Sequence, residues 1–168
     1  MCAKVPNPEF ANQVIERGGD TLNLCFQCGT CTASCPSGKS TAFKTRQLLR
    51  KAQLGFKEDI LDSDDLWMCT TCYTCVERCP RGVKIVDIII ALRNIASEEG
   101  HMLDEHKKVS RSLIENGHTI PLTDKYAKLR KDMGLPEKPP TLLSHPKALE
   151  DFQTITKRLG FDKLIGGD

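Results

Sequence analysis

The chain has 168 residues, 39% of them hydrophobic and only 5% aromatic, enough for one compact domain, or a small domain with a long extension, around a thin core. Its formal charge is +2 with both signs interspersed, which excludes the strong electrostatic footprint of a nucleic-acid or anionic-membrane binder. The start, MCAKVPNPEF, lacks the apolar run of a secretory leader, and the most apolar segment, 83–96, is too short for a bilayer and interrupted by Lys84, Asp87 and Arg93, so a soluble, cytoplasmic chain without a membrane span is expected.

In chain order, Asn7-Pro8-Glu9 offers a cap, a proline at the first helical position and an acid in the first turn. It predicts a helix to about Arg17, stopped by Gly18-Gly19. A cysteine group, CFQCGTCTASCP, occupies 25–36. A second helix is predicted over Thr41–Leu54, with Phe43, Leu48, Leu49 and Ala52 as its apolar face and Gly55 as its terminator. A second cysteine group, CTTCYTCVERCP, occupies 69–80. A third helix is predicted from Ile85 to Glu99, ending at Gly100. Ile85, Ile88, Ile89, Leu92 and Ile95 keep helical spacing; the β-branched run Ile88-Ile89-Ile90 favours a strand, but length and polar breaks favour helix. Beyond Gly100 three more helices are expected: 102–116, with Val109, Leu113 and Ile114 on one side; Thr123–Met133; and, after a proline-rich link at 136–140, Pro146 to Leu159, carrying Leu149, Phe152, Ile155 and Leu159. No stretch alternates as a strand does. The expected fold is mostly α: an α-helical ferredoxin-like domain over 1–100 and a helical C-terminal extension over 101–168.

Eight of the nine cysteines fall in the two groups, in a chain expected to stay where disulfides do not persist, so metal binding is the first reading. Both groups have the form C-x2-C-x2-C-x3-C-P, repeated at an offset of about 44 residues. A [4Fe–4S] cube needs one thiolate for each iron. Three cysteines spaced three apart wrap one loop around three corners, and the fourth must come from elsewhere. In two-cluster ferredoxins it is the Cys-Pro cysteine of the other group. The expected ligands are Cys25, Cys28, Cys31 and Cys79 for the first cluster, and Cys69, Cys72, Cys75 and Cys35 for the second. Pro36 and Pro80 suit a chain leaving a tight loop for a helix, and Gly29 lets the backbone approach the inorganic core. Zinc is the alternative, but its usual paired C-x2-C knuckles leave ligands here without a pairing.

Other residues carry weaker signals. Cys2 stands alone and reads as a free thiol. His101, His106, His118 and His145 share no spacing with an acid or thiol and read as surface or capping residues. Trp67, just before Cys69, either shields the second cluster from water or is a core aromatic. Arg78, Arg81 and Lys84 crowd the distal cysteine of the second group, where they either raise a cluster potential or form a solvated face. Fully ligated clusters leave no iron open to substrate, and the chain has no nucleotide fingerprint, phosphate loop or Cys–His nucleophile pair. No catalytic residue is assigned, and the chain is expected to carry electrons rather than transform a substrate.

Two stretches, CFQCGTCTASCPSG and WMCTTCYTCVERCPRGVKIVDII, resemble the iron–sulfur C subunit of heterodisulfide reductase, whose family is best known from methanogenic archaea. The close match covers roughly 20–95, and the tail agrees in size and character. The resemblance implies an electron-transfer protein with two [4Fe–4S] clusters, without activity of its own. It implies two partners within a heterodisulfide reductase complex. One is flavin-containing and splits electron pairs; the other is catalytic and reduces the mixed disulfide of coenzyme M and coenzyme B. Electrons would come from hydrogen through a hydrogenase, or from formate through a formate dehydrogenase. The doubled motif alone is shared with iron–sulfur subunits of quinone-linked dehydrogenases, and an iron–sulfur sensor or structural module is a rival of another class. The adjacent-cysteine C-C-G signature of the catalytic partner is absent, so the catalytic half is not fused here.

Overall fold

The computed structural model describes residues 5–121 and 123–166. Every regular element among them is helical, in agreement with the mostly α class. The chain forms two compact units, one ending at His101 and the other beginning at Met102.

In the first unit, α1 (Pro8–Glu16) starts at Asn7, whose side chain accepts a hydrogen bond from the Glu9 backbone N–H at 3.1 Å. This satisfies one of the donors a helix start leaves open. Phe10 and Val14 are its buried face. A 3₁₀ turn, Leu22–Leu24, seats Leu22 in the core. The short helices α2 (Thr30–Ser34) and α3 (Ser37–Ser40) follow, then α4 (Thr45–Leu54) and α5 (Lys57–Leu61). A second 3₁₀ turn, Asp64–Met68, seats Leu66; α6 (Thr74–Glu77) and α7 (Ile85–Glu98) complete the unit.

The helix predicted over Thr41–Leu54 begins only at Thr45. Thr41 is extended, because its hydroxyl donates to the Ser37 carbonyl at 2.9 Å and accepts from the Phe43 N–H at 3.2 Å. This local hydroxyl bonding competes with the helical ladder. Leu48, Leu49 and Ala52 form the buried stripe of α4, and Phe43 is buried ahead of the helix rather than on it. α7 is a helix and no strand. It buries Ile85, Val86, Ile88, Ile89, Ala91, Leu92, Ile95 and Ala96, and leaves Ile90 outward.

The internal repeat is a repeat of structure. The buried Leu48, Leu49 and Ala52 of α4 match the buried Ile88, Ile89 and Leu92 of α7, and Leu22 matches Leu66 ahead of the two cysteine groups. Asn7, the cap of α1, is fastened where α4 ends. Gly55 has φ +76°, and a Cβ there would collide with the Asn7 backbone, whose N–H donates to the Gly55 carbonyl at 2.8 Å.

The second unit contains α8 (Asp104–Asn116), α9 (Asp124–Asp132), α10 (Pro146–Arg158) and α11 (Phe161–Leu164). Gln153 of α10 donates to the Ile114 carbonyl at 3.1 Å, and Arg111 of α8 to the Ile165 carbonyl at 2.9 Å. Its core is thin: of its described residues only Thr156 and Ile165 are buried. Leu113, Ile114, Leu149 and Phe152 are half-buried, whereas Val109, Ile155 and Leu159 are 47%, 56% and 78% exposed. Among the described residues no helix is long and apolar enough to cross a membrane.

Candidate iron–sulfur sites

The two cysteine loops share a backbone trace. The non-glycine residues with positive φ among the described residues are Gln27, Thr71 and Tyr73, and all lie inside these loops. Gln27 matches Thr71 at the 44-residue offset, and Gly29 (φ +87°) matches Tyr73 (φ +60°). Residues other than glycine accept this left-handed conformation at a cost of about 1–2 kcal/mol, so the loops hold it twice because the turn of the chain demands it. The trace then enters α2 in one loop and α6 in the other. Cys31 and Cys75 are buried in these helices, while Cys28 and Cys72 stay exposed in the loops.

Two cavities result. The first encloses about 330 Å³, including its mouth, and is lined by Cys25, Cys28 and Cys31 of the first loop and Cys79 of the second, with Val83 and Ile85 as apolar wall. The second encloses about 300 Å³ and is lined by Cys69, Cys72 and Cys75 of the second loop and Cys35 of the first, with Phe43, Val86 and Ile89. Pro36 borders the second cavity and Pro80 the first, so each chain passes to the opposite cavity as it leaves its loop. Among the described residues no group of three or more Cys, His, Asp or Glu converges as a single-ion site. The thiols ring a space instead.

Hydrogen bonds to sulfur are matched between the cavities. In the first, the Gln27 side-chain amide donates to Cys25 Sγ at 3.4 Å and the Val83 N–H to Cys79 Sγ at 3.3 Å. In the second, the Thr71 N–H donates to Cys69 Sγ at 3.4 Å and the Gly38 N–H to Cys35 Sγ at 3.3 Å. Cys28 and Cys72 lie 3.3 and 3.5 Å from the hydroxyls of Thr30 and Thr74, and hydrogen bonding to these threonines lowers both thiol pKa values. Burial pushes Cys31 up. It pushes Cys75 up to about 12, with the neighbouring charges of Cys69, Cys31 and Cys72 acting in the same direction. Four thiolates in such a pocket require a cationic centre between them.

A second matched pair, which the sequence reading missed, fastens each loop from behind. Gln53 is the ninth residue of α4 and Arg93 the ninth of α7. Gln53 Nε2 donates to the carbonyls of Leu22 (3.1 Å) and Cys25 (2.9 Å). Arg93 donates from Nε to the carbonyl of Leu66 (3.1 Å) and from a terminal nitrogen to that of Cys69 (2.7 Å). The two lie 40 residues apart, not at the 44-residue offset of the cysteine groups, so only the apolar stripes of the two helices set against each other could have revealed the pair. Burial lowers the Arg93 pKa, and the Cys69 thiolate opposes that shift.

Trp67 does not line the second cavity; it packs against the core, with the Arg93 guanidinium 5.6 Å from its ring centre. Arg81 borders the first cavity beside Arg46, because Cys79 itself lies there. Lys84 turns to Asp20 at 3.4 Å, and Arg78 is exposed and borders neither cavity. His101 pairs through Nδ1 with Asp62 at 3.0 Å, away from both sites. Cys2 lies outside the described residues.

Comparison with known proteins matches residues 21–83 to a 4Fe-4S dicluster domain. The chain is 52% identical to the C subunit of the H(2):CoB-CoM heterodisulfide,ferredoxin reductase of Methanothermobacter marburgensis, over 94% of this chain and 85% of that one. It is 51% identical to the iron-sulfur C subunit of the CoB--CoM heterodisulfide reductase of Methanopyrus kandleri, over 96% and 88%. A protein of Archaeoglobus profundus, named as like the C subunit of heterodisulfide reductase, is 36% identical over 92% and 81%. The chain therefore belongs to the heterodisulfide reductase C-subunit family, a family of iron–sulfur components of an oxidoreductase.

Proposed function

We propose that this family member holds two [4Fe–4S] clusters, one on Cys25, Cys28, Cys31 and Cys79 and the other on Cys69, Cys72, Cys75 and Cys35. Through them it relays electrons from a flavin-containing subunit to the catalytic subunit that reduces the coenzyme M–coenzyme B heterodisulfide. One observation carries the reading: each cavity draws three cysteines from one loop and the Cys-Pro cysteine from the other.

The residues present fit such a group. Four sulfurs ring each space, apolar side chains wall it from water, and two N–H donors meet sulfur on either side. The buried Thr45 hydroxyl lines the second cavity without a partner, and a sulfur acceptor there would satisfy it. When bound, the clusters supply reversible one-electron chemistry. The chain's own contribution is to hold the sulfurs, keep the walls dry and tie the two sites together through α2 and α6, which pack on each other.

The chain itself is non-catalytic in this reading, and hydrogen or formate supplies the complex through an associated hydrogenase or formate dehydrogenase. Residues 1–100 form the relay domain, and 101–168 dock onto the catalytic subunit. The exposed Val109, Ile155 and Leu159 supply the apolar anchors such an interface uses.

Anaerobic reconstitution should give about 8 Fe per chain with matching sulfide, EPR signals on reduction, and no turnover of the heterodisulfide by this polypeptide with a reduced dye. Zinc without iron in protein from its native host refutes the cluster reading, and turnover by the isolated chain refutes the relay. A chain truncated after Gly100 should keep both clusters and lose the partner; binding and electron transfer at the full rate would refute docking.

A further inference from the structure

The two halves share a trace, a burial pattern and a set of N–H···S bonds, so their differences stand out against a matched background. One difference in charge lies directly behind the two loops, at the ninth residue of α4 and α7. Gln53 and Arg93 perform the same mechanical task, each bridging the carbonyl of its loop's first cysteine and the carbonyl three residues earlier. Gln53 does this as a neutral amide, and its Oε1 accepts from Gln27 Nε2 at 3.3 Å. Arg93 does it as a guanidinium that carries its charge at every accessible pH.

We propose that this pair sets the order of the two cluster potentials: the fixed charge of Arg93 makes the site of Cys69, Cys72, Cys75 and Cys35 the stronger electron acceptor, and electrons pass to it from the site of Cys25, Cys28, Cys31 and Cys79. The inference rests on the cluster reading above. Reducing a cluster adds one negative charge, which a nearby cation stabilises most where the surroundings are poorly polarisable. Arg93 is half-buried, wedged between two carbonyls and the Trp67 ring.

The other cations do not reverse the order. Arg46 and Arg81 border the first cavity, but both are exposed, where water and salt screen them. Lys44, half-buried, adds to the second side: its Nζ donates at 3.0 Å to the carbonyl of Gly38, whose N–H meets Cys35 Sγ. With N–H···S bonds equal in number and length at the two sites, fixed charge is the lever that separates them in this proposal. The step is the loss of one electron at the first site and its gain at the second, with no bond made or broken. A low-potential one-electron donor must therefore feed the first site, and the acceptor must meet the second.

The test is a potentiometric titration followed by EPR on the reconstituted full chain, after iron and sulfide analysis. R93Q should lower the higher of two midpoints by at least a tenfold change in the reduction equilibrium, ~59 mV for a one-electron couple, and leave the lower one in place. R93K keeps the charge without the two-carbonyl fork and should retain most of the higher midpoint, which a merely structural role would not predict. Q53R should raise the lower midpoint. The proposal fails if R93Q moves the lower midpoint or neither, or if R93K behaves as R93Q. If R93Q does not hold its clusters, Q53R decides: a raised lower midpoint supports the proposal and an unmoved one ends it. Absence of iron from the wild-type chain would overturn the cluster reading as well, whereas two intact clusters with unmoved midpoints would overturn this inference alone.

Discussion

Removing Cys79 gives a sharp test of crossed ligation, because its place in the sequence and its place in the fold disagree. It belongs to the second cysteine group, yet it lines the cavity of the first. Cys79→Ala should take iron from about 8 to about 4 per chain without unfolding the protein. The reason lies in α7. Its fully buried large side chains, Ile85, Val86, Ile88, Ile89, Leu92 and Ile95, each contribute roughly 1.5–3 kcal/mol of apolar burial. Of these only Ile85 walls the first cavity, so most of that core does not depend on the first cavity being filled. The decisive step is a double-variant comparison. Cys28→Ala and Cys79→Ala should strike one cluster, so the double variant should still hold about 4 Fe per chain. Cys72→Ala and Cys79→Ala should strike different clusters, so their combination should hold almost none. Iron and sulfide analysis with EPR of the remaining cluster reads the result, and far-UV circular dichroism monitors the fold. The opposite pattern, with iron lost in the Cys28/Cys79 pair and kept in the Cys72/Cys79 pair, would refute crossed ligation.

Gly55→Ala should be far more damaging than Gly82→Ala, although both glycines have positive φ. A Cβ at Gly82 meets nothing and costs only the backbone term, about 1–2 kcal/mol, whereas at Gly55 it strikes the Asn7 backbone as well. Anaerobic thermal melts should order them so, and equal melting temperatures would contradict the packing of α1 on α4. Ile89→Ala, at a fully buried position in the wall of the second cavity, should destabilise by roughly 2–5 kcal/mol and expose the second cluster to oxygen first; equal loss of both clusters in air would count against the wall role. Asn7→Ala removes the cap of α1 and should cost about 1 kcal/mol, with both clusters retained; no change in melting would show that the cap is idle.

The sequence by itself specified the helical class, because Leu48, Leu49, Ala52 and Ile88, Ile89, Leu92 recur at a period that only a helix places on one side. It also specified the chemistry, since the doubled C-x2-C-x2-C-x3-C-P run has few uses besides iron–sulfur ligation. Short helices such as α5 escaped it because a single turn shows no period. Thr45 rather than Thr41 begins α4 because a threonine hydroxyl competes with the backbone ladder, a contest between two local hydrogen bonds that periodicity does not register. In the tail, the spacing of Ile155 and Leu159 fits a buried stripe, yet both are exposed, since spacing says which residues share a side and not whether anything covers them. The crossing of Cys79 to the first site and Cys35 to the second was already expected from the doubled motif; the tertiary structure supplied its geometry, with each segment passing to the opposite cavity after its proline. It alone placed a neutral Gln53 and a charged Arg93 in the same role, a correspondence that arises when α4 and α7 fold into equivalent positions and that no distance along the chain encodes.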